Sequence, residues 1–166
     1  MRTLDEITSS LQSNLEWLRD RWWEQVCHDK TAALFGHLLC GVREVQLQTL
    51  EDELWSRLDE ETYGDLIQLD LLVCGRPRSR PDAPDIWLAV EASAVLNHSD
   101  VEQARRRAAA LRSVGFLAIP TVACEEATPD VEEVARLGCV LLVQEGRRLF
   151  WEEALAEVVP LVTTQA

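Results

Sequence analysis

Lysine is almost missing from this chain: of its 16 lysines and arginines, only Lys30 is a lysine. Chemistry that relies on a lysine amine has one residue to draw on. Long apolar runs are missing too. None approaches the roughly 18 residues of a membrane-spanning helix, and the first 20 residues lack the apolar centre of a signal peptide. There is no Gly-rich phosphate loop, internal repeat or low-complexity segment, and no Ser-His-Asp arrangement is readable. Positive charge is scarce: the formal net charge is −13 and the isoelectric point about 4.6. Such a surface repels a polyanion, which argues against broad nonspecific binding to nucleic acid but leaves room for a local basic groove. The five cysteines (27, 40, 74, 124 and 139) are odd in number and scattered. They are expected to be reduced thiols of a cytoplasmic protein.

With 47% hydrophobic residues the chain can build a substantial core. Its length fits one domain with an appendage: a helical arm over residues 1–40 and a body over 41–166. A helix is predicted over residues 3–26. Leu4, Leu11, Leu15, Leu18, Trp22 and Val26 recur mostly at spacings of three and four, with Ile7 beside them. From Leu11 to Trp22 the steps are 4, 3 and 4, a coiled-coil spacing for about two heptads. Two readings stay open: a dimerisation or docking arm, or an amphipathic helix folded back on its own core. Trp17, Trp22 and Trp23 crowd this helix. Two adjacent tryptophans cannot share one face, so part of this aromatic surface is expected to be exposed or to meet a partner. A second helix is expected from Thr31 to Cys40, ended by Gly41. Cys27, His28, His37 and Cys40 match no familiar zinc spacing, and Cys27 and His28 point to different faces of a helix.

In the body, Val42 to Leu47 reads as a short strand or an extended link and Leu50 to Leu58 as a helix, with a break at Tyr63-Gly64. Asp65 to Cys74 is apolar enough for a central strand covered on both sides. Three prolines mark Gly75 to Asp85 as a loop, which also holds three arginines. Ile86 to Ser93 returns as the second strand of a hairpin. Ser99 and Glu102 form a capping box for a helix to about Val114, which carries Arg105, Arg106 and Arg107. Phe116 to Cys124 is the next strand, with Pro120 marking an edge or a strand end. Thr128-Pro129 starts a helix that Gly138 stops. A strand from Cys139 to Val143, an edge strand from Arg148 to Trp151 and a helix from Trp151 to Val159 follow. The tail after Pro160 is expected to fray. This order gives an α/β (α+β) chain, a mixed sheet with helices on its faces.

Asp70 and Glu91 stand out. Each lies in an apolar strand, where burying a carboxylate is costly and usually tied to a metal or to catalysis. The alternative is a pair of carboxylates matched with arginines at a sheet edge.

Asp70 on one strand, a hairpin, the run Val90-Glu91-Ala92-Ser93, a capped Arg-rich helix and the strand from Leu117 to Val122 together resemble the PD-(D/E)XK nuclease superfamily. This is the restriction-endonuclease-like fold, and the likeness covers roughly residues 44 to 143. It is similar above all to bacterial, often cyanobacterial, members that carry a helical segment before the domain. The resemblance implies that Asp70, Glu91 and the backbone carbonyl of Ala92 hold Mg²⁺ or Mn²⁺, with Glu44 or Glu53 as a further acid. Hard oxygen ligands suit these ions, which polarise a phosphate and acidify a bound water. Two positions depart from the pattern. Leu69 stands in place of a proline, and Ser93 in place of the catalytic lysine. Serine supplies no cation, and Lys30 lies far upstream. Arg105 or Arg106 would be the arginine to reach the site, stabilising charge without acting as a base. His98 is a candidate substitute base.

Two functions follow. One is a metal-dependent phosphodiesterase with weakened or lost activity, meeting nucleic acid through its local arginine clusters. The other is a non-catalytic binding or assembly module acting through the Trp-rich helix, as a homodimer or with a protein partner.

Overall fold

The N-terminal helix forms as its spacing predicts. In a computed structural model, which describes residues 3–160, α1 spans Leu4–Asp29. Thr3 caps it reciprocally with Glu6. α2 is short, Thr31–Phe35, and the chain is already extended at Leu39. The predicted continuation to Cys40 fails because β1 (Leu39–Glu44) pairs with β2. Gly41 does not end a helix. It has φ +63° within a register shift between Cys40 and Arg43, where a residue without a Cβ is favoured.

A 3-10 turn (Leu47–Leu50), α3 (Glu51–Arg57) and α4 (Glu60–Leu66) follow. The expected break at Tyr63-Gly64 is absent: Asp59 caps α4, and Gly64 lies inside it. Asp65 and Leu66 therefore belong to a helix, not to the first long strand. β2 starts only at Leu71 and runs to Pro77. The remaining elements are β3 (Ile86–Val95), α5 (His98–Ser113), β4 (Ala118–Glu126), α6 (Pro129–Leu137), β5 (Leu141–Gln144), β6 (Arg147–Leu149) and α7 (Trp151–Val158). The capping box of α5 is Asn97 with Asp100, two residues before the predicted one. The predicted tail after Pro160 lies outside the described residues.

The six strands form one mixed sheet in sequential order, β1 to β6. β1, β2 and β3 run antiparallel, β3, β4 and β5 parallel, and β6 returns antiparallel. β4 is thus interior, and Pro120 is tolerated because the ladder to β5 begins one residue later, at Thr121. One face of the sheet packs on α1, α2 and α7 through Trp23, Phe35, Val90 and Leu155. The other packs on α4 and α5 through Leu66, Leu72, Ala89 and Leu111, and on α6 through Val131 and Leu142. None of the described helices is long and apolar enough to cross a membrane.

α1 divides in two. Its C-terminal half belongs to the body: Trp23 and Cys27 are buried, and Trp23 Nε1 donates to the Ala123 carbonyl at 2.9 Å. Asp20 accepts from the Ala94 N–H at 2.8 Å, and Arg19 bridges Glu125 and Glu126. The N-terminal half leaves Leu4, Leu11, Leu15 and Leu18 exposed. A boundary at residue 40 would fall inside β1, so the arm and the body share one core.

Candidate functional site

Hairpin pairing brings the two sequence-flagged carboxylates together. Leu71 lies opposite Val90, which sets Asp70 beside Glu91 at the end of the antiparallel ladder. There the Asp70 side chain continues the ladder, accepting the Ala92 N–H at 2.9 Å. Side chains alternate along β3, so Glu91 shares a face with Ala89 and meets α5. It is only 4% exposed.

Its partner is Arg107, itself 5% exposed, whose Nη1 donates to Glu91 Oε1. The other terminal nitrogen of Arg107 lies 3.4 Å from Asp65, while Arg106 holds Asp65 bidentately at 2.8 and 2.9 Å. Burial, reinforced by the charge of Asp70, pushes the Glu91 carboxyl up to about 8, against the pull of Arg107. Asp65 behaves oppositely, held below the ordinary carboxylate range chiefly by its bond to Arg106.

On the α1 side Asp70 lines a small cleft of about 110 Å³ with His28 and Glu44. His28 Nδ1 lies 2.6 Å from Glu44 Oε1, and its Nε2 lies 3.8 Å from Glu24. Burial, then the charge of Asp70, raises the Glu24 carboxyl. Of the two upstream acids, Glu44 is therefore beside Asp70, while Glu53 is exposed in the first turn of α3. Cys27 is buried behind them, its thiol pushed up to about 12 mainly by burial.

Other flagged residues are engaged elsewhere. Ser93 Oγ donates to the Val95 carbonyl at 3.0 Å. Arg105 pairs with Glu102 at 3.0 Å and abuts Gly138, so the contact expected of Arg105 or Arg106 is made by Arg107. His98 faces Asp130 at 3.1 Å across the exposed start of α6. In the β2–β3 loop, Arg78 donates to the Gly36 carbonyl and Arg80 reaches the Pro160 carbonyl.

The ion implied by the resemblance meets a poor site. Asp70, Glu91 and Ala92 are adjacent, as such a set requires. However, Glu91 is sealed in the core against a guanidinium, and Asp70 already accepts the Ala92 amide. A divalent cation would have to sit beside a buried positive charge. Among the described residues no group of three or more His, Cys, Asp or Glu is arranged to hold a metal. Arg107, Asp65, Glu24 and His28 went unflagged as members of this site. The spacing of Glu24 and His28, i and i+4 on one helix, was the available signal for those two.

No family model matches the chain, and neither does any curated protein or solved structure.

Proposed function

We propose that this chain is a nuclease-like protein that has lost phosphodiester chemistry and works as a binding or assembly module through the exposed half of α1. The observation that carries the reading is the buried pair of Glu91 and Arg107. The carboxylate that the resemblance assigns to a metal already has its cation on α5. Ser93 adds support, because it offers no charge where a lysine is needed and its hydroxyl donates to its own strand. The arginines of α5 add more, since Arg105, Arg106 and Arg107 each pair with a carboxylate of the same chain. Nuclease ancestry is supported by the hairpin–helix–strand order and by Asp70 meeting Glu91.

The test is a calorimetric Mn²⁺ titration of wild type beside Asp70→Ala and Glu91→Ala, with cleavage assays on DNA and RNA. Neither metal uptake nor cleavage is expected. Uptake abolished by both substitutions and accompanied by cleavage would overturn the reading.

A further inference from the structure

At 100° per residue, Leu4, Thr8, Leu11, Leu15, Leu18 and Trp22 fall within an arc of about 80° on α1. Their steps of 4, 3, 4, 3 and 4 extend the coiled-coil spacing over the whole free half of the helix. The five apolar members are each more than half exposed, from 55% at Leu18 to 82% at Leu4. Thr8 is the one polar member, and its hydroxyl is satisfied by the Leu4 carbonyl at 2.8 Å. Of the residues that dock α1 on the sheet, Asp20 and Cys27 lie on the opposite side of the helix, Trp23 about 100° and Arg19 about 60° from the stripe's centre. A partner helix can therefore run along the stripe without meeting the body. Trp17 lies off the stripe and stacks under Arg21.

We propose that this stripe pairs with the same stripe of a second copy, as an antiparallel two-helix coiled coil. The proposal rests on the reading of α1 as the working surface. Apolar area supports self-pairing: the stripe offers on the order of 600 Å² per copy, close to one partner's share of a standard interface. The flanks of the seam select the direction. Asp5 borders it in the first turn, and Arg19, which also bridges Glu125 and Glu126 of its own chain, borders it at the far end, where Glu16 and Asp20 lie off the seam. In the antiparallel register Leu15 meets Leu11, Leu18 meets Thr8, and Trp22 meets Leu4. Asp5 of one copy then flanks Arg19 of the other. A parallel pair would stack Trp22 on Trp22, set acid against acid, and bring two bodies of a chain with charge −13 side by side. The antiparallel pair holds them at opposite ends of a seam about 27 Å long, beyond the screening length of about 8 Å at physiological salt.

The register makes the test specific. Gln12 flanks the seam next to its midpoint, so Gln12 of one copy meets Gln12 of the other only in the antiparallel pair. Thr8 meets Thr8 only in a parallel one. Full-length protein is sedimented at about 50 µM, a concentration that populates a dimer with a micromolar Kd. Under mild oxidation Gln12→Cys and Thr8→Cys are then compared, with wild type as the control for native thiols. A wild-type dimer, its loss in Leu11→Glu/Leu15→Glu, and disulfide dimers from Gln12→Cys alone are expected. A wild-type monomer, a dimer that survives the double substitution, or cross-linking through Thr8→Cys would overturn the proposal. Circular dichroism checks that the double variant keeps its body folded. Failure here leaves the loss of chemistry at Glu91 standing, because that is read separately by Mn²⁺ uptake.

Discussion

Arg107 on α5 donates to Glu91 on β3 inside the protein, between a helix and the sheet it covers. The pair ties α5 to the hairpin that carries Asp70. Arg107 Nε is buried without a hydrogen-bond partner, so the guanidinium is matched on its terminal nitrogens only.

Replacing Arg107 by Leu leaves Glu91 buried beside Asp70 without its hydrogen-bonded guanidinium. At pH 9, where Glu91 is ionised, the loss should reach roughly 3–5 kcal/mol, as for other half-broken buried pairs. At pH 6 Glu91 holds its proton and the loss should be smaller. The double variant Glu91→Leu/Arg107→Leu should recover most of the stability, because neither charge is then left alone. Urea unfolding of the four proteins closes the cycle.

Glu91 also sets a pH dependence. Its folded-state pKa of about 8 lies above the ordinary 4.5. The folded protein therefore binds one more proton than the unfolded chain between these values. The stability contributed by this group is fully present below pH 4.5 and is lost as pH rises through 8. The melting temperature should fall between pH 6 and 9, and Glu91→Gln should remove most of that slope. A wild-type melting temperature that rises over this window would contradict the assignment.

Near-continuous apolar runs made the hairpin and β4 legible, along with the pairing of Asp70 with Glu91, and helix start and stop signals did the same for α5 and α6. The start of β2 was not. Leu66 and Ile67 are apolar in either conformation, and the Asp59 cap decides for a helix. Nor was the choice among the three arginines. The buried stripe of α5, Val101, Ala104, Ala108 and Leu111, leaves Arg105 and Arg107 about 80° away on its two flanks. Only the position of Glu91 across the interface selects Arg107. The arm was ambiguous for a related reason. Its stripe of leucines and its docking face are different sides of one helix, and the folded-back reading holds for the half that carries Trp23 and Cys27.

The tryptophans of α1 should separate accordingly. Trp23→Ala removes a buried ring and its bond to the Ala123 carbonyl, and should cost about 3–5 kcal/mol. Trp17→Ala removes an exposed ring stacked on Arg21 and should cost less than about 1 kcal/mol. Guanidinium unfolding measures both. Equal losses would mean that Trp17 has a buried role.

The thiols divide by burial. Cys27 and Cys124 are fully buried, with pKa values pushed up to about 12, and Cys74 is buried too. Cys40 and Cys139 are partly exposed. Iodoacetamide on native protein at pH 8, followed by peptide mapping, should modify Cys40 and Cys139 first. Early modification of Cys27 would show that the α1 dock opens readily.

Asp70 does two jobs that one substitution separates. Its carboxylate oxygen receives the Ala92 amide, and its charge raises Glu91 and Glu24. Asn at this position keeps an oxygen for the amide and removes the charge, whereas Ala removes both. Asp70→Asn should therefore keep the hairpin register and lower the Glu91 pKa, moving the fall in stability to lower pH. Asp70→Ala should also leave the part-buried Ala92 N–H without its partner, at a further cost of about 1 kcal/mol. Melting temperature against pH for both variants reads the two effects independently. If Asn and Ala gave superimposable curves, the amide bond to Asp70 would contribute nothing, and the hairpin would be held by its backbone ladder alone.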